Sequence, residues 1–332
     1  MTERGTVLVT GAAGLIGSAV VWALNRRGHE RIIAVDRLDT GEKWRNLVPL
    51  RFDDYLEADA LPQKIELGLL NEVRAVVHLG ACSSTTETDA RYLVENNFNY
   101  TKMLADWALQ RNIRFAYASS AATYGSLEGR LAEDRDIKAL RPLNMYGYSK
   151  QLFDVHASTH GYLNRIVGLK YFNVFGPNED HKGDMRSVVN KAFRQIAETG
   201  RVRLFKSYRP EFADGEQRRD FLYVKDAVEM TLHLLDTPSA TGLYNIGSGE
   251  SHTWRELVGG VFQALNRPVH IEFIEMPAEL RAKYQYSTEA SIDRLRGSGY
   301  TAPITPLTDA VHDYVTRYLV PSRHLGDELP AG

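Results

Sequence analysis

Thr10-Gly11-Ala12-Ala13-Gly14-Leu15-Ile16-Gly17 follows the apolar run Thr6-Val7-Leu8-Val9-Thr10 and leads into an apolar-faced segment, Ile16 to Arg27. The run reads as a buried strand and the segment as a helix, so the three glycines stand at a strand-to-helix turn. Glycine there permits a tight turn, lets backbone approach a pyrophosphate, and allows helix and strand to pack closely. The exposed amides and dipole of the following helix favour phosphate charge at the same point. A nucleotide-binding α/β sheet is the reading that follows.

The pattern repeats outward from that turn. Arg31 to Asp36 is a second strand, with Ala75-Val76-Val77-His78-Leu79 and Arg114-Phe115-Ala116-Tyr117-Ala118 further on. Strands separated by helices imply a parallel sheet with right-handed crossovers. A helix at Tyr146 and a strand from Ile166 to Phe172 continue it. The fold class expected is α/β: a Rossmann-like, doubly wound parallel sheet with a smaller C-terminal α/β lobe.

Residues 1–172 are expected to be mainly the dinucleotide-binding domain. Residues 173–320 are expected to form mainly the substrate lobe, with segments returning to the first domain. In that half Arg186 to Glu198 reads as a helix, Val202 to Phe205 as a short strand, and Tyr208 to Arg218 as an exposed polar loop. Phe221 to Val224 resumes a strand, followed by a helix from Asp226 to Leu235. Residues 321–332, with Pro321, Pro330 and few apolar side chains, are expected to fray.

Composition narrows the function classes. The 332 residues, 43% of them hydrophobic, are enough for a sizeable core. A formal net charge of -2 gives no general attraction to nucleic acid or an anionic membrane. The single cysteine, Cys82, rules out internal disulfides and a multi-cysteine metal site, and no metal is expected. Cys82 reads as a small residue packed near the cofactor, and His78 as a hydrogen-bonded core histidine. No stretch of about 18 apolar residues is present, nor a signal-peptide pattern, so a cytoplasmic protein is expected.

Cofactor type is left open by the residues. Asp36 ends the second strand, where a carboxylate suits the ribose 2′-hydroxyl of NAD. Arg37 beside it and Lys43 nearby suit a 2′-phosphate instead, and so NADP.

The reactive group is Tyr146-Gly147-Tyr148-Ser149-Lys150. One helical turn separates Tyr146 from Lys150 and puts both on one face. Tyrosine ordinarily titrates near 10. A shift of about three units needs roughly 4 kcal/mol, which Lys150 and a cationic nicotinamide in a desolvated cleft would supply. Ser120, at the end of a strand, would bond the same substrate oxygen. Together they form a hydroxyl–ammonium pair suited to oxidising or re-reducing a hydroxyl-bearing carbon.

These elements resemble the extended short-chain dehydrogenase/reductase superfamily over essentially the whole chain. Gly80-Ala81-Cys82-Ser83-Ser84-Thr85-Thr86-Glu87, Tyr171-Phe172-Asn173-Val174-Phe175-Gly176-Pro177, His181-Lys182-Gly183 and Lys283-Tyr284-Gln285 are similar to the ADP-glyceromanno-heptose 6-epimerase family. That resemblance implies an NADP-dependent inversion at C6 of a nucleotide-linked heptose, supplying the lipopolysaccharide core. It implies hydride removal to a ketone, return to the opposite face, and no net use of cofactor. Tyr146 would act in one orientation of the ketone and Lys182 in the other.

By the same resemblance, Leu15 and Ile16 lie at the pyrophosphate turn, with Leu79, Gly80, Ala81, Cys82, Ser83 and Asn96 along the cofactor. Lys150, Val174 and Lys182 reach its nicotinamide end. Asn173, Phe205, Lys206, Ser207, Tyr208, Arg219 and Tyr284 resemble substrate contacts, Arg219 suiting the diphosphate. Asp184 and Lys191 fall at substrate positions where a small hydroxyl residue and a histidine are commoner, and Ala58 replaces an expected lysine. A homo-oligomer, such as a pentamer, is also implied. A related dehydratase would carry an acidic pair after Ser120, where Ala121-Ala122 stand. A catalytically silent nucleotide-binding scaffold would be expected to lose Ser120, Tyr146 or Lys150, and all three are present.

Overall fold

The computed structural model describes residues 5–281 and 284–328. Lys283, one of the motif residues above, lies outside them. Seven parallel strands make the central sheet: β1 (Thr6–Thr10), β2 (Ile32–Asp36), β3 (Asp54–Glu57), β4 (Val73–His78), β5 (Arg114–Ser120), β6 (Val167–Tyr171) and β7 (Gly242–Ile246). Their order is β3-β2-β1-β4-β5-β6-β7. The order reverses between β1 and β4, so the crevice at the strands' carboxyl ends opens there, where open α/β sheets bind ligands.

Helices cover both faces. α1 (Leu15–Arg26) packs against α5 (Val224–Asp236) on one side. α2 (Tyr100–Gln110) and α3 (Met145–Thr159) cover the other, over a core that includes Phe115, Tyr117 and Phe153. β1 and β2 are buried at every position, which is why they read as unbroken apolar runs rather than alternating ones. β3 was not legible: only Leu56 of Asp54-Tyr55-Leu56-Glu57 is buried, as suits an edge strand.

The expected strand Ile166 to Phe172 ends at Tyr171. The chain then forms a second short parallel pair, Asn173–Phe175 with Phe221–Tyr223. The smaller lobe is built from such pairs, including Val202–Phe205 with Ile271–Ile274, and from α4 (Val188–Thr199). β7 and α5 return to the main sheet, so residues 224–246 pack with the first half of the chain.

The expected fraying from 321 onward does not describe residues 324–328. Leu325 is fully buried, its amide donates to Asn178 Oδ1 at 3.0 Å, and Trp22 Nε1 donates to Glu328 Oε1 at 2.7 Å. One apolar side chain with a cavity to fill and backbone partners to meet was enough to dock a polar segment. Residues 329–332 lie outside the described ones. Among the described residues no helix is long and apolar enough to cross a membrane.

Candidate active site

The glycine-rich turn has the geometry its composition requires. Gly11 lies at φ 68°, and a Cβ there would sit 2.7 Å from Gly80 N. A Cβ at Gly17 would sit 1.9 Å from Gly11 O, so α1 can start against the turn only without a side chain. Gly80 N donates to Thr10 Oγ1 at 3.1 Å, tying the turn to the loop after β4. His78, at the end of β4, contacts Thr10 Oγ1 at 2.6 Å and Thr101 Oγ1 at 2.8 Å. Burial pushes its ring down to about 3, so it is the neutral, satisfied core histidine expected.

A cleft of about 520 Å³ runs from this turn across the sheet's carboxyl edge. Gly11, Gly14, Leu15, Ile16, Gly17, Leu79, Gly80, Ala81, Cys82 and Ser83 line one end; Ser120, Tyr146, Lys150, Val174 and Lys182 line the other. A smaller recess of about 130 Å³ adjoins it, lined by Asp36, Arg37, Lys43, Ala58, Cys82 and Asn96. Every candidate catalytic and cofactor residue therefore borders one continuous groove. A dinucleotide fits its shape and donors: glycine backbone at the middle, charged groups in the recess, and a hydroxyl–ammonium pair at the far end.

In the recess Asp36 is already engaged. Its Oδ2 accepts from Ala13 N at 2.8 Å, and its Oδ1 from Arg37 N at 2.7 Å and Lys43 Nζ at 2.8 Å. The Arg37 guanidinium bonds Asp59 at 2.6 Å and Asn96 Oδ1 at 2.8 Å.

At the far end, Asn144 caps α3 by accepting from Gly147 N at 2.8 Å, which fixes the first turn carrying Tyr146. Lys150 lies one turn along, buried, with Nζ donating to Ala118 O at 2.9 Å. Burial lowers its ammonium to about 8, against the opposing pull of Asp154. Tyr146 moves the other way: burial pushes its phenol above the ordinary value of 10, and the hydrogen bond with Ser120 pulls it back. The downward shift expected from Lys150 is thus not produced by the chain by itself, because desolvation of the phenolate outweighs it.

Beneath these residues sits a buried polar network. Asp154 Oδ2 accepts from Lys170 Nζ and Ser119 Oγ, both at 2.7 Å, and its Oδ1 accepts from Tyr117 Oη at 2.8 Å. Lys170 Nζ also donates to Thr123 Oγ1 at 2.7 Å. The network joins β5, β6 and α3 where Ser120, Tyr146 and Lys150 leave them.

Lys182 stands on a tight turn, Asp180–Met185, whose Gly183 adopts φ 53° and ψ -125°. Burial lowers its ammonium below the ordinary range, with Glu179 opposing the change. Among the described residues it makes no ion pair, and Glu179 acts on it only through its nearby charge.

The candidate substrate residues divide. Asn173 is exposed, with Nδ2 donating to Asp220 O at 3.1 Å. Arg219 is buried yet lacks a carboxylate partner among the described residues; its guanidinium donates to Arg218 O and Gln285 O and lies 5.1 Å over the Tyr284 ring. The neighbouring Asp220 instead accepts from the backbone of Ser248, Gly249 and Ala290. Phe205, Lys206, Ser207 and Tyr208 lie at the lobe's rim, where Lys206 pairs with Glu275 and Arg281 stacks 3.8 Å over Tyr208. The segment from Tyr208 to Arg218 is an irregular loop pinned by Arg209 to Glu128 and over Tyr286. Asp184 is exposed and Lys191 half-exposed, and neither borders the groove.

Three residues had no role assigned from sequence. Asn97, buried in a π-helical turn (Val94–Asn99), clamps the Cys82 loop: Oδ1 accepts from Cys82 N at 2.9 Å and Nδ2 donates to Cys82 O at 2.9 Å and Ser149 Oγ at 3.0 Å. The one signal was an Asn-Asn pair inside a helical pattern. His181 and Met185 line the groove beside Lys182. Cys82 itself borders both the groove and its recess.

The chain belongs to the NAD dependent epimerase/dehydratase family, which matches residues 7–247. Within it, the chain is 52% identical to the ADP-L-glycero-D-manno-heptose-6-epimerase of Nitratidesulfovibrio vulgaris strain DP4, across 94% of this chain and 97% of that one. Among solved structures it resembles the ADP-L-glycero-D-manno-heptose-6-epimerase of Helicobacter pylori, with a TM-score of 0.81 and 25% identity across 95% and 96% of the two chains. The UDP-glucose 4-epimerase of Thermus thermophilus in complex with NAD is similar at a TM-score of 0.74 and 26% identity, across 93% and 97%.

Proposed function

We propose that this protein inverts C6 of ADP-D-glycero-β-D-manno-heptose to give the L-glycero epimer. The names of its relatives support the substrate. The observation that carries the chemistry is that two proton-transfer groups from separate elements line one groove, and on this reading they form its two walls: Tyr146, with Ser120 and Lys150, on α3 and β5, and Lys182 on the turn Asp180–Met185. Inversion by oxidation and re-reduction requires the ketone to be approached from both faces, and one acid–base group serves only one orientation of its oxygen.

A nicotinamide dinucleotide held along Gly11, Gly14, Gly17, Asp36 and Lys43 would supply the chemistry of taking up a hydride from C6 and giving it back. The rest falls to this chain. Tyr146 Oη exchanges the hydroxyl proton in one orientation, with Ser120 holding the substrate oxygen and Lys150 supplying positive charge. Lys182 exchanges it in the other, and burial, which lowers its ammonium below the ordinary range, eases loss of the proton. Arg219, buried and without a carboxylate partner among the described residues, would pair with the ADP diphosphate, and Asn173, Phe205 to Tyr208 and Tyr284 would border the nucleotide sugar. NADP is the proposed cofactor, because Lys43 and Arg37 flank an Asp36 whose carboxylate is already engaged. NAD binding is favoured only if Asp59 keeps Arg37 from a 2′-phosphate.

Incubation with ADP-D-glycero-β-D-manno-heptose in D2O, without added nicotinamide, tests the reading by NMR and mass spectrometry. The expected result is the L-glycero epimer without deuterium at C6. Deuterium at C6 would replace hydride return by deprotonation, and no product even with NADP and NAD supplied would remove this substrate.

A further inference from the structure

The turn carrying Lys182 is held on one side by Glu179 and Asp180, which accept from Ser187, Tyr314, Asn190 and Arg194, but none of these groups belongs to the glycine-rich turn. Gly183 interrupts it with a left-handed φ, and Asp184 beside it is exposed. Two buried asparagines supply the connection instead. Asn46 Nδ2 donates to Ala13 O in the glycine-rich turn at 2.8 Å, to Asn178 O at 3.0 Å, and approaches His181 Nδ1 at 3.3 Å. Burial drops the His181 ring to about 4, so it is neutral and can accept that bond. Asn178 Nδ2 donates to Ser18 Oγ on α1 at 3.0 Å, and Ser18 Oγ donates on to Gly14 O at 2.7 Å.

Both asparagine carbonyls are taken by the segment that sequence composition marked as fraying. Asn46 Oδ1 contacts His324 Nδ1 at 3.0 Å, and Asn178 Oδ1 accepts from Leu325 N at 3.0 Å. The segment is seated by Leu325, by Gly326 at φ 104° against Pro49 and Leu50, and by Glu328 on Trp22. An asparagine amide has a single carbonyl and two N–H groups, so once the carbonyl is taken from one side the amide's rotation is fixed. With its carbonyl on His324, Asn46 turns its two N–H groups to Ala13 O and Asn178 O, and the longer approach to His181 Nδ1 shares one of them.

We propose that His324 and Asn46 are positioning residues, which through a strap of residues 324–328 hold the His181-Lys182 turn in register with the glycine-rich turn. The strap acts on the Lys182 side of the groove and leaves the Tyr146 side, held by β5 and α3, unaffected. The inference rests on the two-wall reading above and makes that reading more specific.

The test uses the full-length protein with its cofactor and single-turnover oxidation of each C6 epimer, followed by absorbance of the reduced nicotinamide. The ratio of the two rates within one preparation is independent of how much protein is active. Lys182→Met and Tyr146→Phe define the two directions in which that ratio can move. His324→Leu and Asn46→Ala are expected to move it in the Lys182→Met direction by roughly tenfold, the scale of a catalytic group misplaced by less than about 1 Å. His324→Asn, which keeps an N–H donor near the position of Nδ1, is expected to restore it. Amide exchange over residues 180–186, read by mass spectrometry without substrate, should rise in His324→Leu and return in His324→Asn.

A ratio unchanged while both rates fall would make these residues merely structural, and movement in the Tyr146→Phe direction would place the strap on the wrong wall. Either overturns the proposal, as does an asparagine variant that behaves like the leucine one. If Lys182→Met itself leaves the ratio unchanged, the two-wall reading fails first and the strap with it.

Discussion

On the proposed reading the two walls of the groove do opposite halves of one job, and they are built in different ways. Ser120, Tyr146 and Lys150 emerge from a strand and a helix fused by the Asp154 network, whose members are buried. Lys182 emerges from a six-residue turn whose outer ion pair, Asp180 with Arg194 at 2.7 Å, is about half exposed on both partners. The first wall is rigid because a buried polar network is costly to leave partly satisfied. The second has a buried group behind it as well, Glu179 accepting from Ser187 and Tyr314, but it is tied to the glycine-rich turn through side-chain bonds from distant segments. A catalytic residue can thus be placed by the core or by a tether, and the two should fail differently when perturbed.

The largest expected effect is chemical. Tyr146→Phe removes the proton-transfer group while leaving its packing, and turnover should fall by about 10³-fold. Lys182→Met should also slow epimerisation severely, by about 10²-fold or more. Steady-state epimerisation of both variants checks this, and full activity in either would leave only one working wall.

Removing what lies behind each wall should separate stability from activity. Asp154→Asn strips the carboxylate from a fully buried Lys170 ammonium, and unfolding free energy should drop by about 3 kcal/mol in denaturant titration. Asp180→Asn breaks a solvent-screened pair and should cost less than about 1 kcal/mol. Equal losses would mean that the two walls are supported alike. A smaller effect is expected at the substrate end. Arg219→Gln should raise KM for the nucleotide sugar by about tenfold with little change in kcat, as expected for an ionic contact formed equally in ground and transition states.

The contrast also marks what sequence can carry. The first wall was legible because its parts are local: a glycine turn between strand and helix, a serine ending a strand, and a tyrosine one turn before a lysine. The buried strands were legible because burial on both faces leaves no polar residue to interrupt them. Lys182 was reached only through family resemblance, since nothing in its neighbours specifies that a turn 32 residues beyond Lys150 faces the same groove. β3 and β7 were missed for a related reason: an edge strand with one buried side chain, and a returning strand whose partner lies 75 residues earlier, have no local signature. Asn46, Asn97 and His324 act entirely through tertiary hydrogen bonds. Residues 324–328 look like a polar end by composition, and Leu325 is the one apolar side chain among them that could have signalled docking.

The subtlest consequence concerns pH on the rigid wall. Burial holds Lys150 at about 8, well below the 10.4 or so of an unfolded lysine. Its positive charge is what the phenolate of Tyr146 needs, so kcat/KM should fall along an alkaline limb centred near pH 8. The stability term has the opposite sign. Between about pH 8 and 10 the unfolded chain binds more protons at this position than the folded one, so this group favours folding increasingly as pH rises. Activity lost while stability holds or rises would distinguish deprotonation of Lys150 from alkaline unfolding. Asp154 supports the protonated form, so in Asp154→Asn the limb should move to lower pH. A limb that stays in place would show that Asp154 serves the wall only as a brace, and that the charge on Lys150 is set by desolvation and by what lies in the groove.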